Sequence, residues 1–321
     1  MLGQLNAFLQ KWMPLFTPLS LVIGVLLADA GSHLLFLIPW LFIFMTFVGS
    51  LSMNFQSFRT VKQHPWTIVI VLLILHGVMP LWAYILSSLV FHDHLLTVGF
   101  VLAVAAPTAI TSMIWVSVCG GGVALCLAII LIDTLLAPFF MPVIMHFVVG
   151  ESITIDTMAL MLDLIWMVVV PSIAAILLHE WTKGKIHQRW SPTLAPFQKI
   201  CLFLVVMINS SAIAPYVQQM NKELFLVILF VLVMAMSGYV VSFLLAHFIW
   251  RDRDVVTTVL FTGGMRNIAV AVVIATTYFP PKAIMPVVFG MLFQQVLASF
   301  VSKFVTRYKQ RDGASAAAHS S

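Results

Sequence analysis

The stretch Phe261-Thr262-Gly263-Gly264-Met265-Arg266-Asn267 decides the fold, because it interrupts an apolar segment that runs from about Val255 to Tyr278. A membrane-spanning helix is normally apolar throughout, whereas this segment carries two glycines, an arginine and an asparagine near its middle. A charged side chain at the centre of a bilayer costs about 2.5–3.5 kcal/mol on insertion scales, so such residues usually face a cavity or a partner. The stretch therefore predicts one half of a transport site.

The composition of the whole chain agrees with a membrane location. Of the 321 residues, 62% are hydrophobic and only 8% are charged, and the mean hydropathy is +1.08. This composition is typical of an all-α, polytopic membrane protein. Because a span needs about 20 apolar residues, the sequence predicts ten transmembrane helices. They lie near 15–31, 34–52, 66–91, 96–118, 123–148, 157–179, 197–217, 224–249, 255–278 and 283–306.

The basic residues of the connecting loops support this count, because lysine and arginine concentrate on the cytoplasmic side. Ten spans put thirteen of them on one side, only Lys222 and Lys282 on the other, and Arg266 inside the membrane. The thirteen are Lys11, Arg59, Lys62, Lys183, Lys185, Arg189, Lys199, Arg251, Arg253, Lys303, Arg307, Lys309 and Arg311. We therefore expect both termini in the cytoplasm and an integral protein of a bacterial inner membrane. The net charge of +5 then marks the face next to anionic lipids and implies no nucleic-acid partner.

A basic loop at 179–196 divides the chain into two halves of five spans. We expect a first repeat at 1–150, a second at 151–308 and a disordered cytoplasmic tail at 309–321. Because five is odd, the two halves cross the membrane in opposite directions and form inverted repeats.

The fourth span of the first repeat carries a second interruption, from Pro107 to Ser112. Proline removes a helix hydrogen bond, and the hydroxyls of Thr108, Thr111 and Ser112 are natural partners for the freed backbone. Taken alone, this segment is equally consistent with a simple proline kink. Since corresponding broken helices in two inverted halves are the best sequence indicator of a secondary-transporter site, the pair favours a site between spans four and nine.

Asp133 in span five lies at the depth of Arg266. Eleven residues separate Gly122 from Asp133 and twelve separate Asp254 from Arg266, so at about 1.5 Å per residue each charge lies on the order of 17 Å from the cytoplasmic edge. The two charges are predicted to pair, although such a pair can be purely structural. His76 in span three is interpreted as a packing or hydrogen-bonding residue rather than a proton carrier.

These segments resemble a known family. Gly264-Met265-Arg266-Asn267, followed by Ala269-Val270-Ala271, resembles the Gly-Met-Gln-Asn signature of the bile-acid:sodium symporter family. The residues from Ala106 to Ser112, with Gly122-Val123-Ala124-Leu125 and Leu136-Ala137-Pro138, are similar to its fourth and fifth helices. The resemblance implies a panel domain of spans one, two, six and seven, a core domain of the other six, crossed helices four and nine, and sodium-driven uptake of organic anions.

Several positions depart from the pattern of that family. Its acidic sodium ligand corresponds to Thr262, its signature glutamine to Arg266 and an asparagine of its fourth helix to Met113. Exchanging a carboxylate for a guanidinium changes the local charge by about two units, which argues against classical sodium binding. Our hypothesis is that Arg266 takes the place of a sodium ion, as counter-charge to Asp133 or as a ligand for an anionic substrate. Protonation of Asp133 would then couple transport to a proton gradient.

The sequence thus predicts a secondary transporter of a small organic anion that works by alternating access. No bound cofactor is expected, Na+ or H+ is the candidate coupling ion, and the partners are the substrate and the lipid bilayer. The predicted substrate-binding residues are Asn267, Arg266, Ser112, Thr108 and Thr111. The predicted coupling residues are Asp133, Thr262 and Gln295.

Two alternatives stay open at this point. The first is a proton-coupled or uncoupled exporter, as in the arsenite permeases of the same superfamily, although their helix-four cysteine has no counterpart at Pro107-Thr108. The second is a receptor or sensor of the same fold that binds without transport. An intramembrane enzyme is not predicted, because the sequence contains no His-Glu-x-x-His, Gly-x-Ser-x-Gly or Asp-Asp arrangement.

Overall fold

A computed structural model describes residues 2–150, 156–218, 221–250 and 252–319, and this part of the chain is helical almost throughout. Its α-helices are α1 (Leu2–Leu26), α2 (Ala28–Ser32), α3 (Ile38–Ser50), α4 (Gln56–Gln63), α5 (Pro65–Leu73), α6 (Met79–Phe91), α7 (His94–Ala105), α8 (Ser112–Val118), α9 (Val123–Val149), α10 (Thr157–Leu164), α11 (Val170–Trp181), α12 (Lys185–Ala212), α13 (Ala214–Gln218), α14 (Lys222–Ile249), α15 (Arg253–Gly264), α16 (Ile268–Tyr278) and α17 (Pro281–His319).

Several helical runs are long and apolar enough to cross a bilayer, which confirms a polytopic membrane protein. Within the described residues there are six such runs, and the two parts of α1, Leu2–Met13 and Leu15–Leu26, which are bent by 77°, make a seventh if they are taken as one span. The six are Pro65–Phe91, Val123–Val148, Thr157–Trp181, Lys185–Ala212, Lys222–Ile249 and Pro281–Thr306. The total of ten spans, the repeat boundaries and the disordered tail stay predictions.

The interrupted segments lie inside the protein. Eight of the twelve residues of α7 and seven of the eleven residues of α16 are buried. A helix that is apolar on all sides belongs in an interior, and α7 accordingly packs against α6, α9, α16 and α17. The breaks at both segments are therefore surrounded by protein, where non-helical backbone is tolerated at membrane depth.

The second interruption is shorter than the sequence predicted. Instead of breaking at Thr262, α15 continues through Gly264, and only Met265, Arg266 and Asn267 leave the helix. The two glycines serve close packing instead. A β-carbon on Gly263 would lie 2.1 Å from Ser242 Oγ, and one on Gly264 would lie 2.2 Å from the Tyr239 ring.

Gly263→Ala is therefore expected to lower the free energy of unfolding by about 1–3 kcal/mol, the usual cost of overpacking a core. Thermal unfolding of the purified protein in detergent would measure the loss. Gly77→Ala is the matched control, because a β-carbon there has open space within 4 Å. Adding Ser242→Gly should recover most of the loss. Equal stability of the two alanine variants would contradict this packing role.

Helices α5 and α6 join through a π-helical turn, Ile74–Val78, instead of a continuous α-helix. In this turn the amide of Met79 donates to the carbonyl of Ile74. The next residue, Pro80, has no amide hydrogen, so the carbonyl of Leu75 is left without a helical donor. The turn thus provides a free acceptor in the membrane interior.

A polar cluster at the start of α7 links this helix to α14 and α17. Asp93 accepts a hydrogen bond from the amide of Leu96 at 3.1 Å and one from Lys282 Nζ at 2.7 Å, and Lys282 also lies 2.7 Å from Glu223 Oε1. Burial alone would raise the pKa of Asp93, but the hydrogen bonds from Lys282 and Leu96 outweigh burial and hold its pKa below the usual value.

Because the pKa of Asp93 is depressed in the folded state, its contribution to stability is present above about pH 4 and is lost as the pH falls through the folded pKa. We expect Asp93→Asn to reduce the drop in melting temperature between pH 6 and pH 3. Lys282→Gln should reduce the drop in melting temperature between pH 6 and pH 3 by nearly the same amount. An identical acid response in the wild type and both variants would contradict the assignment.

Candidate functional site

The two interruptions meet each other. Thr108 and Arg266 form an isolated antiparallel bridge, flanked by hydrogen bonds from Ala109 N to the carbonyl of Met265 (3.0 Å) and from Asn267 N to the carbonyl of Pro107 (2.6 Å). Buried backbone groups that leave a helix need other partners, and here each break supplies them to the other. The structure therefore brings the two interrupted segments together, as the sequence predicted.

Side chains from the following helices complete the crossing. The amide of Thr108 donates to Asp133 Oδ2 at 2.6 Å, and the amide of Arg266 donates to Gln294 Oε1 at 3.2 Å. The acceptor in each case lies on the long helix that follows its break, α9 for Asp133 and α17 for Gln294. The two halves of the crossing are thus built in the same way.

Asp133 is fully buried, and its carboxylate accepts three hydrogen bonds. Two come from the amide and the hydroxyl of Thr108, the latter at 2.7 Å. The third contact is His76 Nε2, 2.5 Å from Oδ1. His76 lies in the π turn and stacks on Phe140 with 4.6 Å between the ring centroids. A buried carboxylate requires such satisfied partners, and sequence reasoning had not brought His76 to Asp133.

Arg266 is only 5% exposed, yet its guanidinium is incompletely paired. Its Nη2 donates a long bond of 3.5 Å to the carbonyl of Leu75, the one left free by Pro80. Its Nη1 has no hydrogen-bond partner among the described residues. No ion pair within 4.0 Å joins Arg266 to Asp133 in the described part of the chain, because Thr108 and His76 already occupy the carboxylate.

The other predicted substrate residues lie around the crossing. Ser112 is fully buried, and its Oγ lies 3.7 Å from Cys126 Sγ. Thr111 and Asn267 are half-buried and precede α8 and α16, and neither side chain caps its helix. Their side chains are therefore the more accessible polar groups at the crossing.

The remaining predicted coupling residues point elsewhere. The hydroxyl of Thr262 donates to the carbonyl of Thr258 at 2.9 Å, back into its own helix. Gln295 accepts a 3.4 Å hydrogen bond from Trp115 Nε1. The glutamine at the crossing is its neighbour Gln294.

A cavity of about 60 Å³ adjoins the crossing. Its walls are mostly apolar, with Phe100, Val104 and Ile268 among them, and its polar lining includes Arg266, Gln294 and Tyr239. Tyr239 is 3% exposed, and its hydroxyl has no hydrogen-bond partner among the described residues. The sequence signal that could have indicated this residue is a single phenol in a mostly apolar span.

Comparison with known proteins places this site in a family context. The family model described as the SBF-like CPA transporter family matches residues 11–310. The chain is similar to the Bacillus subtilis (strain 168) protein YbaS, with 41% identity over 92% of this chain and 97% of that protein. A second protein of that strain, YocS, whose name describes a sodium-dependent transporter, is 23% identical over 88% of this chain and 90% of its own length.

A plant relative agrees with the same class. The Oryza sativa subsp. japonica chloroplast protein BASS1, whose name describes a probable sodium/metabolite cotransporter, is 25% identical over 71% of this chain and 55% of its own length. These matches confirm the resemblance to the bile-acid:sodium symporter family and a transporter rather than an enzyme. With the model matched over nearly its whole length, the chain belongs to the SBF-like CPA transporter family.

Proposed function

We propose that this protein is a secondary transporter of a small organic anion that works by alternating access. The observation that carries the proposal is the crossing of two interrupted segments around a buried, incompletely paired guanidinium. Arg266 lies at the bridge with Thr108, and its Nη1 lacks a partner among the described residues. A buried cation with an unused donor favours an anionic ligand.

The proposed architecture is ten transmembrane helices in two inverted repeats of five, with both termini cytoplasmic in a bacterial inner membrane. The matched contacts of Thr108 with Asp133 and of Arg266 with Gln294 support the repeat. Movement of the core domain against the panel domain would alternate access. That movement would break the 2.6 Å hydrogen bond from the Tyr278 hydroxyl to Asp163, which joins α16 of the proposed core to α10 of the proposed panel.

The proposed substrate residues divide into two groups. Arg266 supplies the positive charge, and the half-buried Asn267 and Thr111 offer further polar contacts. Thr108 and Ser112 are fully enclosed, so we assign them to holding the crossing in shape. Thr108 in particular uses its hydroxyl on Asp133.

For the coupling ion we propose a proton. The names of two relatives refer to sodium, but here Thr262 replaces the carboxylate and turns its hydroxyl to Thr258. Arg266 and Asp133 balance each other in charge, so a bound monoanion leaves the site with one net negative charge. One proton on Asp133, or on His76 beside it, restores neutrality, which is favoured where water is scarce.

Proteoliposome transport with sodium replaced by choline tests this coupling. We expect uptake to persist in choline and to increase when the external pH is lowered relative to the lumen. The measurement is accumulation of a labelled organic acid, with a proton ionophore as the control that should abolish accumulation. A strict sodium requirement would refute the replacement of sodium by Arg266.

Two other functions are consistent with the same fold. An exporter, uncoupled or proton-driven, would move the anion preferentially from the cytoplasmic side to the outer side in vesicles of known orientation. A receptor would bind the anion without moving it. A counterflow experiment with labelled substrate distinguishes a receptor from a transporter. Binding without exchange of label across the membrane favours the receptor.

A further inference from the structure

Two residues that line the cavity beside the crossing carry hydrogen-bonding atoms that the described part of the protein leaves unused. We propose that Arg266, Tyr239 and Gln294 bind the carboxylate of a short aliphatic monocarboxylate in this cavity. The inference rests on the proposed function, because it specifies the chemical class of the transported anion. It adds two residues that the sequence had not assigned to the substrate.

Unpaired donors on residues that line the cavity support the proposal. Arg266 and Tyr239 are both more than nine-tenths buried, and Arg266 Nη1 and the Tyr239 hydroxyl lack partners among the described residues. Gln294 uses its oxygen on the amide of Arg266, so its amide nitrogen is the group that can donate outward. Leaving buried donors unmet is costly, and a guanidinium matches a carboxylate with two parallel hydrogen bonds.

The cavity walls restrict the rest of the ligand. Apolar side chains, including Phe100, Val104, Val231 and Met234, line the space around the three polar groups. An alkyl chain would bury apolar surface against them, whereas a second carboxylate would lose its hydration without gaining a partner. One cation in an apolar pocket therefore favours a monoanion with a short apolar tail.

The cavity volume indicates the size of the ligand that fits inside it. One buried water needs about 10–15 Å³ on this measure, so a cavity of about 60 Å³ holds roughly four to six non-hydrogen atoms. Acetate, propionate and butyrate fall in this range. Apart from Arg266, which lies in the break between α15 and α16, the lining residues belong to α6, α7 and α14–α17. All of these are parts of the proposed core, so the site would move with the core domain.

Isothermal titration of the purified full-length protein in chloride-free detergent solution tests the proposal, with propionate as the probe. We expect saturable binding of one propionate, and binding of succinate and of chloride at least about tenfold weaker. Equal affinity for chloride would assign the cavity to an inorganic anion and overturn the carboxylate. Equal affinity for succinate would overturn the apolar tail.

Two variants probe the cavity without removing the buried charge. Tyr239→Phe deletes one hydroxyl and should weaken propionate about tenfold, the usual loss for a hydrogen bond to a charged group. Tyr84→Phe, on an exposed tyrosine of α6, is the matched control and should bind like the wild type. Ala103→Leu fills the cavity from its wall and should abolish binding. Unchanged affinity in both Tyr239→Phe and Ala103→Leu would overturn the site.

The same titration separates this site from the proposed function. Propionate binding without transport in liposomes would keep the site and refute transport. Transport of an organic acid that propionate does not inhibit would keep transport and refute the site.

Discussion

Arg266→Gln is expected to lower substrate affinity by at least about thirtyfold. The change removes the single positive charge from a site in which the guanidinium is 5% exposed. Truncating one partner of a buried charged contact costs about 2–5 kcal/mol, and each 1.4 kcal/mol is a factor of ten in affinity. Glutamine corresponds to this position in the Gly-Met-Gln-Asn signature of the bile-acid:sodium symporter family, so we expect the side chain to fit.

A thermal-shift screen of organic acids on the purified protein measures this effect. Acids that raise the melting temperature of the wild type should lose that effect in Arg266→Gln. Arg266→Lys is the matched control, because it keeps the charge but loses the planar fork of donors, and it should retain part of the affinity. An Arg266→Gln protein that is stabilised by the same acids to the same extent would refute a substrate role.

Asp133→Asn is expected to lower the free energy of unfolding by about 3–5 kcal/mol, the loss seen when one member of a buried charged network is removed. Its carboxylate accepts from the amide and hydroxyl of Thr108 and contacts His76. The asparagine oxygen can accept from Thr108 in place of Oδ2, but the amide nitrogen then faces His76 Nε2. That nitrogen accepts only when the imidazole carries its proton on Nδ1. Arg266 would also lose its nearest opposite charge.

A double-mutant cycle tests whether the two charges balance each other. Asp133→Asn combined with Arg266→Gln should cost less than the sum of the two single losses, because the double variant restores neutrality. Asp163→Asn is the control, since that carboxylate bonds to Tyr278 away from the crossing. Additive losses, or a loss below 1 kcal/mol for Asp133→Asn, would refute the network.

The sequence could predict the membrane class and the position of the crossing for a simple physical reason. Burial of charge and non-helical backbone in a bilayer is costly, so polar residues in an apolar segment stand out. Arg266, Asp133 and the Pro107 break were found in this way. The family model over residues 11–310 agrees with the resemblance that these residues carry.

The detailed contacts could not be predicted, because they depend on how helices are rotated about their axes. Gln294 and Gln295 are neighbours in sequence, yet adjacent residues of an α-helix face directions about 100° apart. Only the packing of α17 selects Gln294 for the amide of Arg266 and leaves Gln295 to Trp115. The contact of His76 with Asp133 depends in the same way on the π turn.

That π turn also determines which residues of the run Pro65–Phe91 share one face. Along it five side chains with at most 1% exposure recur at every fourth position: Val71, Leu75, Met79, Ala83 and Ser87. In an unbroken α-helix each step of four residues rotates the side chain by about 40° beyond a full turn, so four steps would shift it by about 160° around the helix axis. The π turn inserts one extra residue without its usual rotation and so reduces this shift by about 100°. A single inserted residue thus keeps one face of the run directed at the protein on both sides of the site.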